Sequence, residues 1–258
     1  MQTETIAPPR VGFDPQCFSE LAAAEAASFW FKARNKLILW ALGKYAPKTR
    51  SFMEIGCGTG FVLSAIAEHH PQWEIHGTEL FAEGLSYAKE RLPDANLIEL
   101  DAKNIPFKQR FDTVGTFDVL EHIDDDQLVL NQIFKALRPG GTLLITVPQH
   151  AILWSPSDDV AHHYRRYERH DLVTKVQKAG FSVIRVTSFV STLMPLMLAS
   201  RLWQRYVTRR GSIMSELQIK GLVGALLETV LAIELFVIKL GLSFPAGGTL
   251  FLVTRKPG

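Results

Sequence analysis

Glu54-Ile55-Gly56-Cys57-Gly58-Thr59-Gly60 is the stretch that decides the fold of this 258-residue chain. Residues 51–55, which lead into it, suit a short strand, and 59–69 have helical composition, with Pro71 helping to end the helix. A strand that runs into three glycines and then a helix is a turn where backbone closely approaches a ligand, because glycine turns tightly and carries no side chain. The dinucleotide fingerprint G-x-G-x-x-G would place its last glycine at position 61, which is Phe61. Here the third glycine stands at 60, and an acidic residue, Glu54, precedes the first glycine by two positions. The spacing therefore disfavours a dinucleotide loop and a dehydrogenase.

Outward from the loop, strand and helix patterns alternate. Strands are predicted over 74–79, 96–100, 111–118, 142–147, 181–189 and 249–254, and helices over 82–91, 124–137 and 168–179. Arg138-Pro139-Gly140-Gly141 stops one helix and Gly180 closes another. This alternation predicts an α/β fold with a seven-stranded, mainly parallel sheet covered by helices on both faces. Four segments follow: a tail with a helical segment over 1–45, a core over 46–189, an apolar insertion over 190–245, and the last strand with the C-terminus over 246–258.

Composition narrows the function classes. Apolar residues make up 47% and charged residues 21%, values of a chain with a sizeable core. A net charge of +2 gives no reason to expect a nucleic-acid partner. Cys17 and Cys57 stand far apart and in no metal-type spacing, so neither a disulfide framework nor a zinc site is expected, and a reducing, cytoplasmic compartment fits. The first ten residues lack an apolar core and do not read as a signal peptide.

Glu79 ends the second strand about twenty residues beyond the loop, where a carboxylate can accept hydrogen bonds from both ribose hydroxyls. Asp101, with Ala102, follows the third strand. Glycine loop, Glu79 and Asp101 thus fall at the C-terminal ends of three successive strands, where open α/β sheets bind ligands.

These pieces together, MEIGCGTG (53–60), HGTELFAEGLSYAK (76–89), LDAKNIPF (100–107), FDTVGTFDVLEHIDDD (111–126) and LRPGGTLLITVP (137–148), resemble the class I S-adenosylmethionine (SAM) dependent methyltransferase superfamily. The likeness is strongest to the bacterial branch that includes quinone-biosynthesis and other small-molecule methyltransferases. The resemblance implies a Rossmann-like core and SAM as cofactor, leaving as S-adenosylhomocysteine. It implies that Glu54, Gly56, Cys57, Gly58 and Gly60 wrap the methionine part, with Glu79 and Leu80 at the ribose. Asp101 and Ala102 would hold the adenine, and Phe117 and Asp118 would lie near the methionine moiety, with His122 near the pocket. Residues 28–35 resemble a helical segment that covers SAM in relatives. Arg34 there either pairs with the cofactor carboxylate, which its planar fork matches, or is a surface arginine of an amphipathic helix. Residues 124–126 read as a solvated helix cap rather than a metal site.

Methyl transfer asks the protein mainly to position and orient, and needs a general base only if the acceptor keeps its proton. Amide-methylating relatives carry N-P-P-Y or D-P-P-Y after the fourth strand. Asp118-Val119-Leu120-Glu121 stands there instead, which favours an O or C acceptor over N. For the acceptor side the candidate is the loop 158–167, which resembles a D-x-x-x-x-H-x-R-R-Y pattern of this branch. His163 is the candidate base, with Tyr167 beside it. His162, His163, Arg165, Arg166 and His122 are the candidate acceptor-binding residues, with Arg165 or Arg166 suited to an anion. The same side chains could instead only tie the loop to the sheet. The adjacent His162 and His163 lack a third ligand at suitable spacing, so no metal is expected.

Residues 190–245 are an insertion where the family has a short hairpin. They are apolar, with Arg201, Arg205, Arg209 and Arg210 along them, and Glu228, Glu234 and Lys239 interrupt the greasiest run. Three charges disfavour a spanning helix. Three roles remain open: a lid over an apolar, lipid-like acceptor, a contact with the inner membrane face, or a homodimer surface. Two functions are weighed: methyl transfer to a small-molecule or lipid-like acceptor, and non-catalytic SAM or partner binding on the same fold.

Overall fold

The computed structural model describes residues 13–206, 219 and 221–258. Seven strands form one sheet: β1 (Ser51–Ile55), β2 (Glu74–Glu79), β3 (Asn96–Glu99), β4 (Phe111–Phe117), β5 (Leu137–Pro148), β6 (Ser182–Phe189) and β7 (Thr249–Arg255). Their order is β3-β2-β1-β4-β5-β7-β6, with only β7 antiparallel to its neighbours. The chain winds outward from β1 to β3, then returns to β4 on the other side of β1. The crevice at this reversal is where such sheets take ligands.

Side chains alternate across each strand. Phe52 of β1, Phe117 of β4 and Phe251 and Val253 of β7 pack on one face, against α2 (Phe29–Tyr45) and α3 (Phe61–His69). Met53, Ile55, Val114, Leu250 and Leu252 pack on the other, with α5 (Asp126–Ala136) and α7 (Arg169–Lys178). Glu54 therefore shares a face with Phe52 and looks toward α2. The remaining helices are α1 (Phe18–Glu25), α4 (Ala82–Arg91), the short α6 (Pro156–Val160), α8 (Met194–Tyr206) and α9 (Gly221–Lys239).

Three expectations need adjustment. The N-terminal helical segment breaks at Ala26–Ser28 without a glycine or proline, because α1 turns to place Glu25 on Thr59, whose hydroxyl donates to it at 2.7 Å. The fifth strand is longer than the expected 142–147: β5 already begins at Leu137 and runs through Arg138–Gly141, with Gly140 at φ +75°. Residues 124–126 are not a uniformly solvated cap. Asp125 caps α5 by accepting from the Leu128 amide at 3.0 Å, while Asp126 is buried.

The insertion supplies α8 and α9. On α9 the stripe Gly224, Leu227, Leu231, Glu234, Leu235 and Ile238 is buried and packs along α2. Its charges are used internally. Glu234 accepts from the Ser191 and Thr192 amides at 3.0 and 2.8 Å, and Glu228 pairs with Lys36 at 2.8 Å. Among the described residues α9 is the one helix long and apolar enough to cross a membrane, but a third of it is buried in the protein. Its opposite face leaves Leu222, Leu226, Ile233 and Phe236 exposed, and α8 adds Leu196 and Trp203. Arg201, expected at a lipid surface, is buried and donates to the Leu153 carbonyl at 3.2 Å. Arg209, Arg210 and the Arg205 side chain lie outside the described residues.

Candidate active site

One cavity of about 780 Å³ opens at the C-terminal ends of β1, β2 and β4, within the range of small-molecule sites, about 300–1,000 Å³. The glycine loop forms its floor. Gly58 has φ +52°, and a β-carbon there would meet nothing closer than Phe18 at 3.7 Å. Its bare backbone therefore faces the open cavity. Gly60 has φ +77° for another reason: a β-carbon would lie 2.9 Å from the Ala88 backbone, so this glycine lets α4 pack on the loop.

Glu79 is buried beside the loop. One oxygen accepts from the Gly58 amide at 3.0 Å and the other from the Leu80 amide at 2.8 Å. The Leu80-bound oxygen also accepts from the Phe81 amide at 3.3 Å, and the oxygen bound to Gly58 keeps a second lone pair for a ligand hydroxyl. Burial raises the Glu79 carboxyl, partly offset by these amides. Asp101, Ala102 and Leu80 line the same rim. Asp101 accepts from the Lys103 amide at 2.8 Å, which orients its carboxylate. Cys57 lines the loop, and burial pushes its thiol well up, so it is no nucleophile at neutral pH.

Farther in, Glu54 is 2% exposed, and its Oε2 has no hydrogen-bond partner among the described residues. Burial drives its carboxyl well above the usual range, against the pull of Arg34. Such a carboxylate suits a cationic ligand group. Arg34 is buried too, stacked 4.5 Å from the Trp30 ring centre, and it bonds Asp118. The two residues expected at the methionine end thus hold each other, with the Arg34 Nε unpartnered among the described residues. Asp118 sits at φ +58°, turning the chain away from β4, and Phe117 lines the wall. A bare backbone face at Gly58, hydroxyl acceptors on Glu79 and an unpaired carboxylate at Glu54 fit a ribose-bearing, positively charged cofactor.

The loop 158–167 divides in two. Asp158 is a buried hub. It accepts from the Ser155 amide at 2.8 Å, from the His163 ring at 2.8 Å, and from the Arg166 fork at 2.9 and 3.0 Å. Burial would raise its carboxyl, but the His163 hydrogen bond and the Arg166 charge hold it well below the usual range. His163, Arg166 and His122 line the cavity. Burial, with His163 beside it, lowers the His122 imidazole to about 3.

Tyr167, Arg165 and His162 are corrections: none of the three lines the cavity. Tyr167 is 1% exposed and donates to Asp126 at 2.6 Å. Burial and that carboxylate push its phenol far above its ordinary value, so it cannot serve as a base. Arg165 pairs with Asp126 at 2.7 Å and donates to the Asp124 carbonyl at 2.7 Å, which leaves it unsuited to an anionic acceptor. The reason is extended backbone, which pairs with Gln149 at Tyr167, so residues 165 and 167 point opposite to 166. His162 takes φ +55°, a turn position. Arg166 does face the cavity, but its fork is bound to Asp158.

Sequence reasoning missed several contributors. Phe13 and Phe18 line the cavity, their ring centres 5.1 Å apart, and Phe13 lies 5.9 Å from His122. Glu25 bonds Thr59 and takes Arg91 at 2.8 Å, tying α1 to the loop. Glu121, in the quoted DVLEH run, is buried at the cavity wall. Leu193, Leu196 and Met197 of α8 and its approach, with Leu227 of α9, line the same cavity, in the insertion for which a lid role was kept open. The aromatic composition of the N-terminal segment, the apolar run of 190–245 and the position of 118–122 after the fourth strand were signals for part of this.

Comparison with known proteins agrees with this fold. A methyltransferase domain model matches residues 53–143. A probable SAM-dependent methyltransferase of Mycolicibacterium smegmatis is 26% identical over 160 residues, 60% of each chain. A trans-aconitate 2-methyltransferase of Variovorax paradoxus is 31% identical over 103 residues, 40% of each. The matched part thus spans less than two thirds of these relatives. Among solved structures, Haemonchus contortus phosphoethanolamine N-methyltransferase 2, in complex with phosphomonomethylethanolamine and S-adenosylhomocysteine, superposes with a TM-score of 0.58 at 21% identity. That match covers 85% of this chain and 52% of the other. The [4+2]-cyclase SpnF gives 0.60 at 18% identity, over 97% and 89%. The strand order, the glycine loop and these matches agree: the chain carries a methyltransferase domain over residues 53–143 and is similar to SAM-dependent methyltransferases of class I in sequence and fold.

Proposed function

We propose that the protein transfers a methyl group from SAM to a small or lipid-like acceptor, at oxygen or carbon. One observation carries this reading. A single cavity joins Gly58, Glu79 and Asp101 at one end to His122, His163 and the apolar side chains of α8 at the other. When bound, SAM would supply an electrophilic methyl on a sulfonium. The chain's own part is to orient and enclose. Glu79 would hold the ribose hydroxyls, Asp101 and Ala102 the adenine, and the Glu54 carboxylate would face the positive end. His163, its Nδ1 fixed by Asp158, presents Nε2 to the acceptor side as a proton acceptor. Leu193, Leu196 and Met197 exclude water and favour an apolar acceptor body.

We further propose that the exposed apolar faces of α8 and α9 rest on a lipid surface at the inner membrane face, with the helices serving as a lid. Liposome flotation of the intact chain and of a chain lacking 190–245 tests this. Equal recovery in both removes the lipid contact, and dimers seen in sedimentation would assign the face to self-association.

The alternative is cofactor or partner binding without methyl transfer, since fold does not fix function and a cyclase shares this one. Calorimetry with SAM and S-adenosylhomocysteine is the first test, and absence of binding for both overturns methyl transfer and cofactor binding alike. A screen of metabolite extracts for methylated product then separates enzyme from binder.

A further inference from the structure

Glu121, His122 and His163 come together on the acceptor side of the cavity. One ligand atom from each lies within 4.8 Å of the other two. They come from two segments 41 positions apart, Glu121 and His122 at the exit of β4 and His163 on the loop after β5. The backbone locks the segments together: the Tyr164 amide donates to the Glu121 carbonyl at 2.7 Å. Expectation of no metal rested on the lack of a third ligand near His162 and His163, and the tertiary fold replaces His162 with Glu121 and His122.

His163 is oriented as a ligand would be, and His122 offers a buried, unpartnered nitrogen beside it. The His163 Nδ1 donates to Asp158 at 2.8 Å, leaving its Nε2 lone pair free. The His122 Nδ1 is buried with no partner among the described residues. Metal-bound histidines usually carry an outer hydrogen bond like that of His163, to a carboxylate or a carbonyl, on the nitrogen away from the metal. Glu121 is 1% exposed and its Oε2 is likewise unpartnered among the described residues. A carboxylate and two imidazole lone pairs converging without a compensating donor are costly to bury, and a cation would answer all three.

We propose that Glu121, the Nδ1 of His122 and the Nε2 of His163 form a binding site for one divalent transition-metal ion of the Zn2+ or Fe2+ kind. Two nitrogens and one carboxylate suit these ions, and three protein ligands leave coordination positions open. Those positions face the cavity under α8. An acceptor hydroxyl entering one would be held there, and its proton would pass more readily to solvent. This deepens the methyl-transfer reading, rests on it for the role of the metal, and replaces its proton acceptor: with the Nε2 of His163 on the metal, the acceptor's proton goes to solvent rather than to that nitrogen. The site itself does not depend on that reading.

The test uses the full chain, stripped with chelator and titrated calorimetrically with Zn2+, and with Co2+ for its visible absorption. One ion per chain is expected, with a Co2+ spectrum of mixed nitrogen and oxygen ligation. E121Q, which keeps the side-chain shape, and H163A, on a surface loop, should each weaken binding by about tenfold or more. D124N, a nearby exposed carboxylate, should leave it unchanged. Circular dichroism shows which variants are folded. If E121Q is not, H163A and Co2+ spectra of the wild type still decide. Failure of the wild type to take up either ion, or uptake unaltered in H163A, overturns the site. SAM calorimetry on the stripped protein separates the two ideas: SAM binding without metal binding refutes the site alone, and metal binding without SAM binding refutes the cofactor reading alone.

Discussion

Alanine at Gly58 and alanine at Gly60 should injure this protein in different ways. Both glycines are left-handed, at φ +52° and +77°, where a β-carbon costs about 1–2 kcal/mol. At Gly60 the added carbon also lies 2.9 Å from the Ala88 Cα and 3.0 Å from its Cβ. The former is backbone, so α4 must shift, and overpacking of this kind adds about 1–3 kcal/mol. G60A should thus lose about 2–5 kcal/mol, a fall in Tm of about 4–20 °C for a domain of this size. At Gly58 the added carbon meets open cavity, so G58A should lose only the conformational part, about 2–8 °C. Its β-carbon would, however, stand where the cofactor approaches the backbone. SAM affinity in G58A should therefore fall at least ~10-fold, or 1.4 kcal/mol. Thermal melts and SAM calorimetry on both variants give the four numbers. Wild-type SAM affinity in G58A would show that the cofactor does not sit on this face. A G60A Tm within about 2 °C of wild type would refute the packing argument.

Tyr167→Phe should cost about 1.5–3 kcal/mol by removing a hydrogen bond to the buried Asp126 carboxylate, yet leave kcat at the wild-type value; a collapsed kcat in a stable variant would return Tyr167 to the chemistry. For Asp126 itself, burial works against the charge, but Lys175, Tyr167 and Arg165 outweigh it and lower the carboxyl below its unfolded value. The unfolded chain then binds more protons in the window between the two values. This contribution is complete above about pH 4 and is lost as pH falls below it, so urea midpoints measured from pH 7 to 3 should fall less steeply in D126N. Glu234→Ala should strand the Ser191 and Thr192 amides and cost about 1–3 kcal/mol. Chemical denaturation checks that value, and proteolysis should then cut 221–239 before the core.

Much of the molecule was legible along the chain because its signals are local. A strand, three glycines and a helix are contiguous, and the acidic residues at 79 and 101 follow strands whose ends could be counted. The glycine spacing separated this loop from a dinucleotide loop without any coordinates. What was not legible depends on which side an extended segment turns. Arg165, Arg166 and Tyr167 are consecutive, and only the pairing of this segment with Gln149 decides that 166 faces the cavity while 165 and 167 serve Asp126. Arg34 and Asp118, each expected at the same end of the cofactor, are 84 positions apart, and nothing local foretells that they bond one another.

The sequence alone therefore determined the fold class, the resemblance to methyltransferases and the strand ends on which a cofactor would lie, since short contiguous motifs and their spacing carry that information. The tertiary structure decided what long-range packing decides. It folded the Glu228 and Glu234 charges of α9 inward and left an apolar face outside. It assigned Tyr167 to a buried carboxylate, and it drew Glu121, His122 and His163 into one cluster. Convergence of side chains from separate segments is set by the sheet order and by loop-to-strand hydrogen bonds, and neither can be read from residues in a row.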